Sequence, residues 1–393
     1  MKNLVIISLL MLLIPTISFS QYNIDWDEAY GGIKNEAANK LIPTKDGGYL
    51  VVGYTESQGS GKKDGWLIKV SKTGEQLWDV TYGGEKDDEL FEVMEWGIGE
   101  FLLAGYTESK GAGDKDFWLI MVDKEGRQTW DTTYGGKDEN IAKSMIKTQD
   151  GNLLICGESK SYSAGAKDIW LVNVDMKSQG KGFGKLLWKK NLGGTENDFP
   201  GMIRWNPNDS LYYIIASSAS FSNGGNDAWF ISVQQDKGAF KMKRNYGYKN
   251  YEYGHDFQFT SDSYAVFAGS TLTKGAGLMD GWIVKLADGF DEEYEKFYGG
   301  MKEDEFRNVF KTPKGYLAVG NTMSIGEGRY DMWLLGLDNK LEKVWEGNIG
   351  EQKDDKMMYS IMDADGNLIF CGSTYSKGNG AQDLWIGKVI IKE

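Results

Sequence analysis

Apolar and polar positions alternate along this chain in short bursts, and the bursts recur at a fixed spacing. In residues 83 to 134, Leu90 to Trp96 reads as an inner strand A and Phe101 to Thr107 as strand B. Phe117 to Val122 follows as strand C, and Thr129 to Tyr134 as an outer strand D. Hairpin turns such as Lys45-Asp46-Gly47-Gly48 and Gln149-Asp150-Gly151-Asn152 join A to B. Strands A and B alternate as half-buried strands do, whereas strand C is nearly all apolar, as in Trp66-Leu67-Ile68, and must be covered on both faces. Each strand C opens on Asp-x-Trp, at Asp64/Trp66, Asp116/Trp118, Asp168/Trp170, Asp227/Trp229, Asp280/Trp282, Asp331/Trp333 and Asp383/Trp385, with intervals of 51 to 59 residues. Four short strands repeated at that period define one propeller blade, so the pattern predicts an all-β, seven-bladed β-propeller.

Six repeats continue into a strand D with an aromatic anchor, from Trp78 to Gly84, Trp130 to Gly136, Trp188 to Gly194, Phe240 to Gly247, Tyr294 to Gly300 and Trp345 to Gly350. The seventh stops after its strand C. The missing strand stands at the other end of the chain, where Ile24 to Gly32 has the D pattern with no blade before it. Pairing of this segment with Trp385 to Ile390 would close the ring and remove its open sheet edges.

Lys2, the apolar run Leu4 to Ile14 and Ser18-Phe19-Ser20 have the layout of an export signal, too short to span a bilayer. Residues 1 to 20 are therefore read as a signal peptide and 21 to 393 as one propeller domain. The formal charge of −13 argues against nucleic acid and anionic membrane surfaces as partners. Glycine at 52 and proline at 5 fit a turn-rich β protein. Cys156 and Cys371 fall in one repeat slot, filled elsewhere by Val52, Ala104, Ala216, Ala268 and Val319. That slot takes a small apolar side chain, and its third and seventh copies do not adjoin. Both cysteines are expected as free buried thiols.

Asp123-x-x-Gly126-x-x-x-Trp130 resembles the tryptophan-docking repeat of quinoprotein-dehydrogenase-like propellers. Residues 70 to 78 and 338 to 345 match it in part, with Ser71 in place of Asp and Leu341 in place of Gly. With Asp46-Gly-Gly-Tyr-Leu-Val-Val-Gly53, the chain from Tyr22 onward resembles secreted or periplasmic bacterial propellers of that superfamily. The resemblance implies the fold and an envelope setting in a Gram-negative bacterium. The enzymes of that group hold their cofactor against a disulfide of adjacent cysteines; Cys156 and Cys371 depart from this, and no cofactor is expected.

Strand order brings the D to A connections and the B to C loops to one face, here the top. Acidic residues open each strand A there, including Glu89, Glu139, Asp304 and Asp354. Ser/Thr-x-Gly loops precede Asp-x-Trp, and their aspartates are expected to lock the corners by accepting backbone N–H groups. The loops lack the alternating aspartates of calcium sites, and no metal is expected. His255 is the single histidine, which excludes a multi-histidine metal centre and leaves no elbow motif for a Ser-His-Asp triad. Departures from the repeat are the better guide to binding. Between blades 4 and 5 the Gly-Gly loop gives way to a tyrosine cluster, Tyr246, Tyr248, Tyr251, Tyr253 and then His255, side chains suited to partner or sugar recognition. On the opposite face the long C to D loop of the third repeat, Met176 to Leu186, carries Lys177, Lys181 and Lys185 as a secondary contact region. The sequence thus points to a monomeric, non-catalytic binding or scaffolding propeller that recognises an envelope or outer-membrane protein complex through its top face. The alternative is a carbohydrate-active hydrolase or lyase, or a glycan binder, using the top-face carboxylates and tyrosines.

Overall fold

Seven antiparallel sheets of four strands each form the ring in a computed structural model that describes residues 21–261 and 264–392. The expected export segment, residues 1 to 20, lies outside the described residues. In blade 2 the strands are Asp88–Gly97, Glu100–Thr107, Asp116–Asp123 and Gln128–Tyr134, in spatial order A-B-C-D, and every blade repeats this order. Strands B and C are buried almost throughout, and the seven Asp-x-Trp tryptophans are each no more than 1% exposed. Each apolar cluster joins two neighbouring blades, so the core is a ring of interfaces and not one central mass.

The N-terminal strand is the closure. Tyr22–Tyr30 pairs with Asp383–Ile391, from Tyr22 opposite Ile391 to Tyr30 opposite Leu384. It begins two residues earlier than the alternation suggested, because Tyr22 stacks on Trp345 of blade 6, with ring centroids 6.1 Å apart.

The docking motif explains its own residues. Asp123 accepts the backbone N–H groups of Glu125 and Arg127 at 3.0 and 2.9 Å, which closes the C to D turn. Gly126 has φ +79°, and a Cβ there would lie 2.8 Å from the ring of Trp78 on the preceding blade. The Tyr82 hydroxyl donates to the carbonyl of the same Gly126 at 2.5 Å. Outer-strand aromatics thus dock on the turn of the next blade. Tyr134 on Gly184 and Tyr298 on Leu341 repeat the hydroxyl contact.

Cys156 and Cys371 are free and fully buried, and burial pushes both thiols up. Intact mass after non-reducing, denaturing alkylation is expected to show two modified thiols, while alkylation of the native protein shows none. A species lighter by two hydrogens and unmodified would refute the packing assignment.

Candidate binding site at the channel mouths

Every strand A carries a bulge. The registers skip between Ala38 and Lys40, Leu90 and Glu92, Ala142 and Ser144, Pro200 and Ile203, Gly254 and Asp256, Phe306 and Asn308, and Met357 and Tyr359. A bulge leaves a residue without a cross-strand partner and re-aims its side chain. In six blades strand B accommodates it with glycine, where a Cβ on Gly105 would lie 1.9 Å from the Glu89 carbonyl oxygen; in blade 4 Ala216 stands there, opposite Pro200. The bulges place Asn39, Phe91, Lys143, Met202, His255, Arg307 and Met358 on the innermost strands around the axis.

Midway down, side chains of different blades meet. Lys40 pairs with Glu92 at 3.1 Å, lies 3.8 Å over the ring of Tyr359 and approaches the Met202 sulfur at 3.7 Å. Ser144 donates to that same sulfur at 3.3 Å. Arg204 pairs with Asp256 at 2.6 Å, Asn308 donates to the other oxygen of Asp256 at 3.1 Å, and Ser360 donates to Asn308. Burial pulls the Lys40 ammonium down, but Glu92 and Tyr359 outweigh it and hold the charge on. This layer of paired charges lies between the lower cavity and the top mouth.

The lower mouth opens into a cavity of about 560 Å³ with apolar walls that include Ile42, Met145, Trp205 and Phe259, roofed by Lys40, Glu92 and Arg204. The alternation pattern gave no sign of it, since its walls come from the lower halves of six different inner strands.

At the top mouth, blades 1 to 3 repeat a lysine immediately before Asp-x-Trp. Lys63 pairs with Glu89 at 3.2 Å and lies 3.7 Å over Tyr54. Lys115 lies 4.2 Å over Tyr106, and Lys167 joins Glu139 at 3.3 Å to Glu158 at 3.2 Å. Lys143 rests 3.5 Å over Phe91. Across the mouth, Arg329 holds both oxygens of Asp354, at 3.1 and 2.6 Å. Lys356 lies 3.5 Å over Tyr330. The Lys-Asp dipeptides at 63–64, 115–116 and 167–168 are the sequence signal for this array, and aligning the repeats brings it out.

The acidic positions expected on the rim divide in two. Asp304 is fully buried, accepting from Thr322 and Ser324 and from the backbone of Gly300 at 2.8 Å. It is a corner lock like Asp88 and Asp355, because the first acid of strand A points back beneath the B to C loop. It is no rim ligand. Glu89, Glu139 and Asp354 do lie at the mouth, each tied to a cation. The Asp-x-Trp aspartates lock the other corner as the sequence predicts, with Asp280 receiving the backbone N–H groups of Ala276 and Gly277 at 3.1 Å.

The tyrosine cluster also divides. Tyr246 is 5% exposed and donates to the Phe290 carbonyl at 2.6 Å, the same outer docking contact made by Tyr82. Its place at the end of strand D, and not in a loop, removes it from any exposed site. Tyr248 is half-buried on the outer side, donating to Glu295 at 2.6 Å and packing on Trp282. Tyr251 is 48% exposed. Tyr253 faces the channel and stacks on His255 with an interplanar angle of 6°. Replacing Tyr246 with Ser is therefore expected to lower the melting midpoint by several degrees, whereas Tyr251→Ser leaves it within about 1 °C. Equal effects in a thermal scan would contradict this division. The basic loop is held by Asp175, which accepts from the backbone of Lys177 and Ser178, and by Phe183 packed edge-on against Trp130. Lys177 and Lys181 sit on that loop, while Lys185 begins the outer strand Lys185–Leu192.

His255 is pushed down to about 4, by burial first and by Arg307 next. Glu305 is held down to about 2 against the effect of burial, by Arg307, His255 and Asn321. A histidine whose folded value lies below its unfolded value stabilises the fold fully above about 6.5. That contribution is lost as pH falls through 6.5 toward 4, up to roughly 3 kcal/mol in all. Asp331, raised to about 6 mainly by burial, has the opposite sign and gains stability as pH falls. The difference in unfolding free energy between the parent and His255→Asn, measured from about pH 7 to 4, is expected to shrink as pH falls. A constant difference would refute the neutral assignment.

No protein-family model matches the chain, and no curated relative does. Solved structures match it in fold. The WD40 domain of Neurospora crassa Pan2 is similar with a TM-score of 0.56 at 12% identity, covering 93% of this chain and 95% of that one. A europium-containing methanol dehydrogenase matches with a TM-score of 0.51 at 9% identity, over 94% and 93%. Chaetomium thermophilum Sqt1 bound to the N-terminus of the ribosomal protein L10 matches with a TM-score of 0.50 at 10% identity, over 92% and 98%. The class is thus the β-propeller, in this chain one of seven blades.

Proposed function

We propose that the chain is a non-catalytic binding or scaffolding propeller that recognises a protein partner through its top mouth. The observation that carries the reading is the state of the mouth carboxylates. A glycoside hydrolase needs one carboxyl raised to act as an acid. Glu139 is held down, chiefly by the hydrogen bond from Lys160, and Glu305 stays ionised beside Arg307. Among the described aspartates of the repeat, those raised by burial are corner locks behind the loops, such as Asp64, Asp168 and Asp280. What the mouth offers instead is alternating lysines and carboxylates beside tyrosine rings, a surface complementary to a polypeptide. The likeness to Sqt1, a propeller solved with a peptide segment bound, agrees with this. The export-signal layout read in residues 1 to 20 and the resemblance to secreted propellers support an envelope setting, with an outer-membrane assembly or secretion complex as the partner.

The test is recovery of partners from envelope extract by the tagged protein and by two variants. Lys115→Glu with Lys356→Glu reverses charge at the top mouth, and Trp205→Ala alters the lower cavity. Loss of the main partner with the first and its retention with the second is the expected result. The reverse pattern would move the site to the lower cavity, and hydrolysis of a glycan by the parent would overturn the reading.

A further inference from the structure

In five blades the indole N–H of the Asp-x-Trp tryptophan donates to a carboxylate on the outer strand. Trp66 reaches Asp79 at 2.9 Å, Trp118 reaches Asp131 at 3.0 Å, Trp282 reaches Glu295 at 3.3 Å, Trp333 reaches Glu346 at 3.0 Å and Trp385 reaches Asp27 at 3.0 Å. Blades 3 and 4 reverse the charge in that slot. Lys189 stands opposite Val172 and Lys243 opposite Ile231, the register positions that Asp79 and Asp131 hold opposite Ile68 and Ile120. Trp170 and Trp229 are as buried as their counterparts, yet their indole N–H groups have no acceptor among the described residues. A buried donor left in this way is uncommon, and here it occurs twice at equivalent positions.

The rest of the cradle is still present. In blades 2 and 7 a lysine of the B to C loop, Lys110 or Lys377, grips the same carboxylate that the indole holds. In blades 3 and 4 that loop position is Tyr162 or Phe221; Lys189 lies 3.6 Å from the Tyr162 ring centroid, and Lys243 lies 3.9 Å from that of Phe240 on its own strand and 5.2 Å from that of Phe221. Cation and indole donor are thus both supplied, and the carboxylate is missing. Lys185 and Lys190 flank the first position on strand Lys185–Leu192, and Lys241 and Arg244 flank the second on strand Phe240–Tyr246. All six cations are exposed, on adjacent outer edges of a chain whose net charge is −13.

We infer that the outer edges of blades 3 and 4 dock an acidic, extended segment of a partner protein. Its carboxylates take the place that the chain's own aspartates and glutamates hold in the other blades, accepting from Lys189 and Lys243 and, once the covering rings of Tyr162 and Phe221 move aside, from the indole N–H of Trp170 and Trp229. Three observations select a polypeptide. The filled cradles all hold a single side-chain carboxylate; the outer strand presents its unpaired backbone edge to a further strand; and Leu187, 49% exposed, offers an apolar contact beside the charges. This surface lies on the outer rim, away from the top mouth, so its success or failure is separate from that of the top-mouth reading.

The test is fluorescence anisotropy of a labelled eight-residue peptide of alternating Glu and Leu, titrated with the purified protein at low salt. The parent is expected to bind with an affinity that falls as salt rises. Lys189→Asp with Lys243→Asp, which installs the acceptor found in the other blades, is expected to weaken binding by at least about tenfold while the melting midpoint holds or rises. Lys189→Gln with Lys243→Gln removes the charges alone and should also lose binding. Lys72→Asp with Lys340→Asp makes the same change in net charge on exposed turns of other blades and should leave the affinity within about twofold. Absence of binding by the parent, unchanged binding by either Lys189/Lys243 pair, or an equal loss in the Lys72/Lys340 control overturns the proposal. So does equally tight binding of an oligothymidylate of the same charge, which would mark a general anion surface. Self-association of the parent that Lys189→Asp with Lys243→Asp abolishes would assign the edge to a second copy of the chain and likewise overturn it.

Discussion

Deletion of Gln21 to Gly32 is expected to lower the melting midpoint by more than about 10 °C and to make the protein aggregate on concentration. The segment supplies the whole outer strand of blade 7. Without it Trp385 loses the Asp27 carboxylate that accepts its indole N–H, and Trp345 loses the ring of Tyr22, contacts each worth about 1 kcal/mol. The larger loss is topological. Strand Asp383–Ile391 would present a long unpaired edge bearing Trp385 and Val389, residues that the closure now keeps buried. Differential scanning calorimetry and light scattering of the truncated protein measure both effects. A synthetic peptide of residues 21 to 32 added in trans should restore the midpoint. A truncated protein that melts like the parent and stays monomeric would show that the ring does not depend on this strand.

What was legible in the sequence is what repetition encodes. The Asp-x-Trp period fixes the number of blades because burying one tryptophan per blade interface requires an identical corner each time. The same period makes the missing seventh outer strand conspicuous, and it aligns Asp27 with Asp79 and Asp131, the carboxylates that receive the indole of blades 1 and 2. The site was less legible, for a physical reason. Neighbouring acids in one loop, such as Glu303, Asp304 and Glu305, read as a single rim of charge, yet the strand alternation sends Asp304 beneath the loop and Glu305 to the channel, while Glu303 receives the hydroxyl of Tyr330. Tyr246 and Tyr253 likewise read as one cluster although a blade boundary separates them. The inner bulges leave no mark in the sequence except the glycine opposite in six of the blades, as at Gly53 and Gly320, and a strand glycine equally suits a tight bend or the close approach of a ligand. The lower cavity has no contiguous segment behind it, so no motif could have announced it.

Replacing Asp256 with Ala is expected to cost on the order of 3 to 5 kcal/mol of stability, the largest single-residue effect in the channel. Asp256 is 1% exposed and carries the charge that balances Arg204 in the mid-channel layer, while also accepting from Asn308. Its removal leaves the guanidinium with the Phe257 carbonyl at 2.5 Å and no counter-charge, and takes from the Asn308 amide its Asp256 acceptor. Stranding a charge costs far more than the pair contributes, so Arg204→Met combined with Asp256→Leu should recover most of the loss by packing. Urea unfolding of the parent and both variants separates the two outcomes. If Asp256→Ala falls within about 1 kcal/mol of the parent, water reaches Arg204 from the lower cavity and the layer does not seal the channel. If instead the single variant is severely destabilised and the double variant is not, the loss is the cost of an unpaired charge, and packing can take the place of the pair in the layer that joins the inner strands. The partition between the mouths would then be a consequence of that structural layer, and ligands entering from below would meet its ionic roof without passing to the top.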